Sequence, residues 1–379
     1  MFMMKDMMKD NLKTYNSGID LLRLLAFAYV VVLHTLGHGG ILGASTFGSH
    51  QYMLCAGMEI WTYCAVNLFG LISGYVGYSD TPPKPFRKRV FSYLELWLQV
   101  VFYAVLPSVI IYIAVPGTIT VTDILKGFLP VTTGQYWYFS AYTGLFLLMP
   151  VLNAALRSLD IRYLRRFLII FLVAFSAYAS PMERFALREG YSTFWLVLLY
   201  LAGGAVKKIR MAHEEAAAAE TDSADLSRAA HKKTALICFA GIPACALFAW
   251  IWLINGWHFS VFDIEVKRTT WMSYTSFTVT LAALLHLVWF SGIRVPEKFH
   301  RPLRLAASCA FAIYLVNTQP ALWKLTDKLF ASCGTGPLVS ILLVTAANVV
   351  VFMAAGILAD IIRRALFSGV RRLFRQFFS

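Results

Sequence analysis

Charge is scarce in this chain: Asp, Glu, Lys and Arg fill 14% of its 379 positions, against 59% hydrophobic residues. A soluble domain stays dispersed by its charged surface, and so few charges exclude one. Six cysteines are present, but no CxxC and no Cys/His pairing joins them. Buried, helix-packing thiols are therefore expected, and no metal. Strand-period alternation is missing too, which excludes a membrane barrel. The stretch from Met1 to Lys13 mixes Met with Lys and Asp and has no apolar core or small-residue cleavage site. The first membrane span is therefore expected to act as an uncleaved signal. No internal repeat points to a repeat-built transporter.

Apolar length is what the chain has in abundance, with a mean hydropathy of +0.63. Several runs approach the ~20 residues that cross a bilayer as a helix. Lipid gives the backbone no hydrogen-bond partner, so such runs must be helical. The expectation is an all-α, polytopic transmembrane helical bundle of about ten spans, near 18–36, 53–77, 90–115, 135–152, 166–180, 192–206, 234–254, 273–292, 303–323 and 337–362. Most of the 34 basic residues fall in the two tails and in alternate connections, such as Arg87 to Arg89, Arg157 to Arg166 and Lys207 to Lys233. The intervening connections hold few, among them Lys126, Arg184 and Lys324. The positive-inside rule then puts both termini in the cytoplasm of a bacterial inner-membrane protein. The net charge of +14 is assigned to those loops and to no nucleic acid. The chain divides into a cytoplasmic tail (1–17), a membrane domain (18–362) with a polar cytoplasmic loop (207–233), and a basic amphipathic helix (363–379) suited to the inner leaflet.

Ionisable groups inside spans are costly, so each invites a reason. Arg23 and His34 lie eleven residues apart, ~3 turns or ~16 Å, and share nearly one helix face. Asp20, three residues before Arg23, is placed to pair with it. Either this stripe is functional, or Arg23 snorkels to the headgroups and His34 bonds a neighbouring helix. Glu59 falls at a depth similar to His34, where a carboxylate either orients an imidazole or sits protonated between helices. Gly70, Ser73 and Gly74 allow close helix approach. Arg87, Lys88 and Arg89 are either loop charge or a phosphate-binding cluster. The aromatic group around Trp137 and Tyr138 is either an interfacial belt or a sugar-stacking platform.

In order along the chain, these residues resemble the acyltransferase-3 family of bacterial membrane O-acyltransferases. Gly18 through Arg23 to His34 is similar to its arginine, ten residues, histidine signature. Val66-Asn67 through Phe69, Ser73 and Gly74 to Tyr75 resembles its phenylalanine-rich Ser-Gly segment. Phe86 to Arg89 is similar to its basic cytoplasmic loop, and Tyr136 to Phe139 through Pro150 and Asn153 to its tryptophan-bearing helix. One departure stands out: where many relatives have a histidine after Tyr-Leu in a late helix, this chain has Asn317 after Val316. Asparagine keeps hydrogen bonding and loses acid–base capacity.

The resemblance implies transfer of an acyl group, acetyl by family habit, from cytosolic acyl-CoA to a hydroxyl of an exported glycan. It implies His34 as general base, Glu59 as its orienter and Arg23 in the donor channel. Arg87, Lys88 and Arg89 would hold the CoA phosphates, while Ser73 and Asn317 would serve the oxyanion or substrate site. Trp137, Tyr138 and Asn67 would meet the acceptor. The competing classes are a secondary transporter or flippase for a lipid-linked glycan, and an inert assembly partner.

Overall fold

Long apolar runs become long helices in the computed structural model, which describes residues 15–82, 85–219, 224–261 and 264–369. The first is α1 (Ser17–Leu36), continued by the short α2 (Ile41–Ala44). Asn16 starts α1 by accepting the Ile19 amide at 3.2 Å, and its own amide nitrogen reaches the Ser291 carbonyl at 2.8 Å. The next pair is α3 (His50–Thr62) and α4 (Ala65–Gly77), followed by α5 (Phe86–Ala114), the small α6 (Val121–Lys126) and α7 (Trp137–Ser158). Then come α8 (Ile161–Ile170), which runs into a π-helix over Phe171–Tyr178, and α9 (Thr193–Ala219). The second half holds α10 (Ala224–Ile254), α11 (Phe277–Gly292), α12 (His300–Asn317), α13 (Pro320–Thr326) and α14 (Leu338–Leu366). Between α10 and α11 lies a two-stranded hairpin, Phe259–Val261 paired antiparallel with Ile264–Val266, a small exception to the all-helical expectation.

Among the described residues seven helical segments are long and apolar enough to cross a membrane, or up to nine if each of two bent pairs is one span. One bent pair leads into α9, and the other joins α12 to α13 across a 60° turn. The stretch expected as a fifth span is helical as α8 and its π-helical extension, but it is not among those nine. Arg162, Arg165 and Arg166 make its first half polar. The polar stretch expected as a loop over 207–233 is largely helix, because α9 runs to Ala219 and α10 starts at Ala224. Arg363, expected to open a separate surface helix, lies inside α14; residues 370–379 of that expected helix, like residues 1–14 of the tail, lie outside the described residues.

The first helix is the hub, touching α3, α4, α11, α12 and α14. Its buried Leu22, Ala26, Phe27 and Val31 pack in one apolar core with Leu68 and Leu71 of α4 and Ala310 and Ile313 of α12. Small residues set how closely these helices approach. A methyl group on Gly18 would stand 1.8 Å from the Phe290 carbonyl oxygen, so α1 touches the backbone of α11 directly. Reciprocally, Gly74 of α4 lies against the Tyr200 carbonyl of α9, and Gly203 of α9 against that of Leu71, leaving 1.9 and 2.0 Å for an added Cβ.

Basic residues at one end close the helix termini. The Lys207 ammonium donates to the Tyr78 carbonyl at 2.8 Å, and Lys208 to the carbonyls of Leu156, Arg157 and Leu159. These are the unpaired C-terminal carbonyls of α4 and α7, where a cation is favoured.

Candidate functional site

Two parallel helices, α1 and α12, build the site. From α1 come Arg23, Phe27 and His34; from α12 come Ser308, Phe311, Tyr314 and Asn317, spaced by three so that they form a line winding round the helix by ~60° per step. The two lines meet at their far end, where the His34 Nδ1 and the Asn317 Oδ1 are 2.5 Å apart. An amide oxygen only accepts, so Nδ1 carries the proton. In the neutral ring the lone pair is then on Nε2, for which the described residues provide no hydrogen bond.

The bend after Asn317 completes this corner. Gln319 caps α13 by accepting the Leu322 amide at 2.8 Å, while its own amide nitrogen donates to Ser108 Oγ of α5 at 2.8 Å. The turn brings Trp323 edge-on to His34 with centroids 4.7 Å apart. On its other side the indole stacks on His38 at 3.9 Å, and His38 Nε2 donates to the Trp323 carbonyl at 2.8 Å. Lys324 ties α13 to α6 through Asp123 at 3.1 Å. Asp123 is also the capping-box partner of Thr120, and these bonds, Thr120 first and Lys324 after it, hold its carboxyl down at about 2.

A cavity of about 410 Å³ opens along the same two helices toward the basic end. Arg23, Phe69, Ser73, Tyr138, Tyr142 and Tyr314 line it. Arg23 is held by Asp20 at 3.0 Å, as their spacing suggested. Tyr314 lies three residues, ~4.5 Å, before Asn317, so cavity and imidazole are neighbours along α12. Arg364 steadies the helix from outside, donating to Ser308 Oγ at 3.1 Å while its Nε holds the buried Asp360 at 2.7 Å.

Several expectations need correcting. Glu59 makes no hydrogen bond to His34 among the described residues; the Nδ1 partner is Asn317, because α12 packs along α1 and its last residue meets the imidazole. Asn67 is fully buried, and both ends of its amide are taken, by the Tyr274 carbonyl at 2.7 Å and by Trp195 Nε1 at 3.1 Å. Those bonds tie it to the Tyr274 backbone and the Trp195 indole. The three basic residues of α5 do not act as one cluster: Arg89 turns inward to the Phe146 carbonyl at 3.0 Å, while Arg87 and Lys88 are exposed. Trp137 and Tyr138 part ways. Tyr138 joins the cavity, and Trp137 packs with Tyr191 at 4.5 Å and Tyr274 at 6.3 Å in an aromatic cluster extended by Tyr63.

Sequence reading passed over Trp323, Tyr314, Tyr191, Tyr274 and the Asp360 network. Only Asp360 carried a signal, since it is an acid in an apolar run with Arg363 and Arg364 three and four residues on. Among the described residues no group of His, Cys, Asp and Glu forms a metal site. The family model described as an acyltransferase domain matches residues 16–358, nearly the whole chain. No curated protein and no solved structure matches.

Proposed function

Since the chain belongs to the acyltransferase-3 family and is thereby a membrane acyltransferase, we propose that it moves an acetyl group from cytosolic acetyl-CoA to a hydroxyl of an exported or cell-surface glycan. In this reading it sits in the bacterial inner membrane with both termini in the cytoplasm. The CoA nucleotide then lies at the basic end, near exposed Arg87 and Lys88. The pantetheine arm enters the cavity past Arg23, and the acceptor approaches from the other end, stacking on Trp137, Tyr191 and Tyr274. Planar rings present both an apolar face and a hydroxyl, which suits the apolar faces and hydroxyls of a sugar.

The observation that carries the reading is the His34–Asn317 bond. A glycan hydroxyl is far too weak an acid to attack unaided, and a neutral imidazole with a free Nε2 is the base it needs. Nε2 takes the hydroxyl proton as the oxygen bonds to the thioester carbonyl carbon. Collapse of the tetrahedral intermediate breaks the carbon–sulfur bond, and the CoA thiolate takes the proton back from His34. Asn317 holds the ring and its tautomer throughout, a positioning role. Arg23 supports the donor from within the cavity.

Purified protein incubated with labelled acetyl-CoA and a mixed glycan acceptor tests this. Acetyl-CoA consumption with label appearing on the glycan is expected. Movement of an unmodified glycan across a vesicle membrane without CoA release would instead favour a transporter.

A further inference from the structure

The cavity contains one polar group that the fold leaves unexplained. The Tyr138 ring lines it, the residue is 8% exposed, and its enclosed hydroxyl has no hydrogen-bond partner among the described residues. Buried phenols are nearly always paired, and an orphan one is costly enough to need a reason. The neighbours do not supply it: Phe69, Tyr142 and Tyr314 present rings at 5.7, 6.3 and 6.2 Å, and the Ser73 hydroxyl, the nearby polar group in the same wall, makes no completed hydrogen bond to it. The residue also sits where chemistry is expected, since Tyr314 is three residues before Asn317, which holds His34. A donor without an acceptor, in the wall of a cavity beside a base, is what a developing oxyanion requires.

Resting on the acyl-transfer reading above, we infer that Tyr138 donates its hydroxyl hydrogen bond to the thioester carbonyl oxygen of the acyl donor and stabilises the oxyanion of the tetrahedral intermediate. The bond is incomplete without ligand, forms with the carbonyl, and strengthens as the oxygen gains charge. Proton transfer stays with His34: the hydroxyl donates but does not ionise. The ligand class this selects is an acyl thioester, distinguished from free CoA by its carbonyl.

The test compares the full-length wild type with Tyr138→Phe in lipid nanodiscs, using acetyl-CoA turnover, melting temperature, and binding of CoA against a CoA methyl-ketone analogue. The variant loses only an unpaired hydroxyl, so its melting temperature is expected to hold or rise. Its kcat is expected to fall by about 10²–10³ with little change in KM for acetyl-CoA. Wild type should bind the ketone analogue more tightly than CoA, and the variant should bind the two alike. A kcat within twofold of wild type, or an equal loss of CoA and ketone binding, overturns the inference. A wild type that neither binds nor consumes acetyl-CoA overturns the acyl-transfer reading itself, a separate result.

Discussion

Replacing Asn317 by alanine removes the acceptor 2.5 Å from His34 Nδ1 while leaving the base in the chain. Two costs follow, and they are separable. Asn317 is buried and the imidazole N–H loses its partner, so stability falls by about 1–3 kcal/mol. The ring is also freed to carry its proton on either nitrogen and to turn, and a base in the wrong tautomer does not accept the acceptor's proton. General-base catalysis contributes about 10²–10⁴ in rate. Loss of most of it is about 3–5 kcal/mol of barrier, larger than the folding cost. The assay is release of CoA thiol by protein in nanodiscs at saturating acetyl-CoA, beside a melting curve. Expected for Asn317→Ala is a kcat lower by at least 100-fold with KM for acetyl-CoA nearly unchanged. Asn317→Asp keeps an accepting oxygen of the same shape and should retain at least a tenth of wild-type kcat. If Asn317→Ala turns over within threefold of wild type, the hydrogen bond does not set the tautomer and the positioning role is wrong.

Gly74→Val would push a side chain into the Tyr200 carbonyl, forcing α4 from α9 at a cost of about 3 kcal/mol or more, read as a lower melting temperature; an unchanged one would mean the helices do not meet there. Asp360→Leu strips a buried carboxylate from Arg363 and Arg364, and should cost about 3 kcal/mol, at the low end for a buried pair because Arg364 is partly exposed. Adding Arg363→Met should recover part of that loss, and no recovery would show that the ion pair is not the cause. Asp123 has its folded pKa lowered to about 2, so its contribution is complete above its ordinary value of 3.8 and lost as pH falls through about 2. The melting-temperature gap between wild type and Asp123→Ala should therefore be constant above pH ~4 and shrink toward pH ~2; a gap that persists unchanged at pH ~2 contradicts this.

The membrane character of the chain was legible because each long helix carries its own apolar length, which is a local property. Arg23 with Asp20, and the small residues of α4, were legible for the same reason: three- and four-residue spacings fix neighbours on one helix. What stayed hidden depends on distant meetings. Asn317 stands 283 residues from His34, and only the bend at Gln319, pinned to Ser108, turns Trp323 back onto the imidazole. Glu59 has a depth along its helix like that of His34, but depth does not fix which way a side chain faces. Asn67 reads as a free amide in sequence, and its partners, Tyr274 and Trp195, lie 207 and 128 residues away. Of the paired readings offered for Trp137 and Tyr138, neither anticipated that adjacent residues at the start of α7 would face different surroundings, as a helix turn of ~100° per residue makes them do.

The central claim is that His34 is the base of an acyl transfer. Its most direct test measures label passing from acetyl-CoA to a glycan acceptor, with wild type and His34→Ala purified and reconstituted in parallel. Wild type is predicted to transfer label and release CoA in equal amounts, and His34→Ala, equally folded by its melting curve, to do neither above background. Near-normal transfer by that variant would contradict the account.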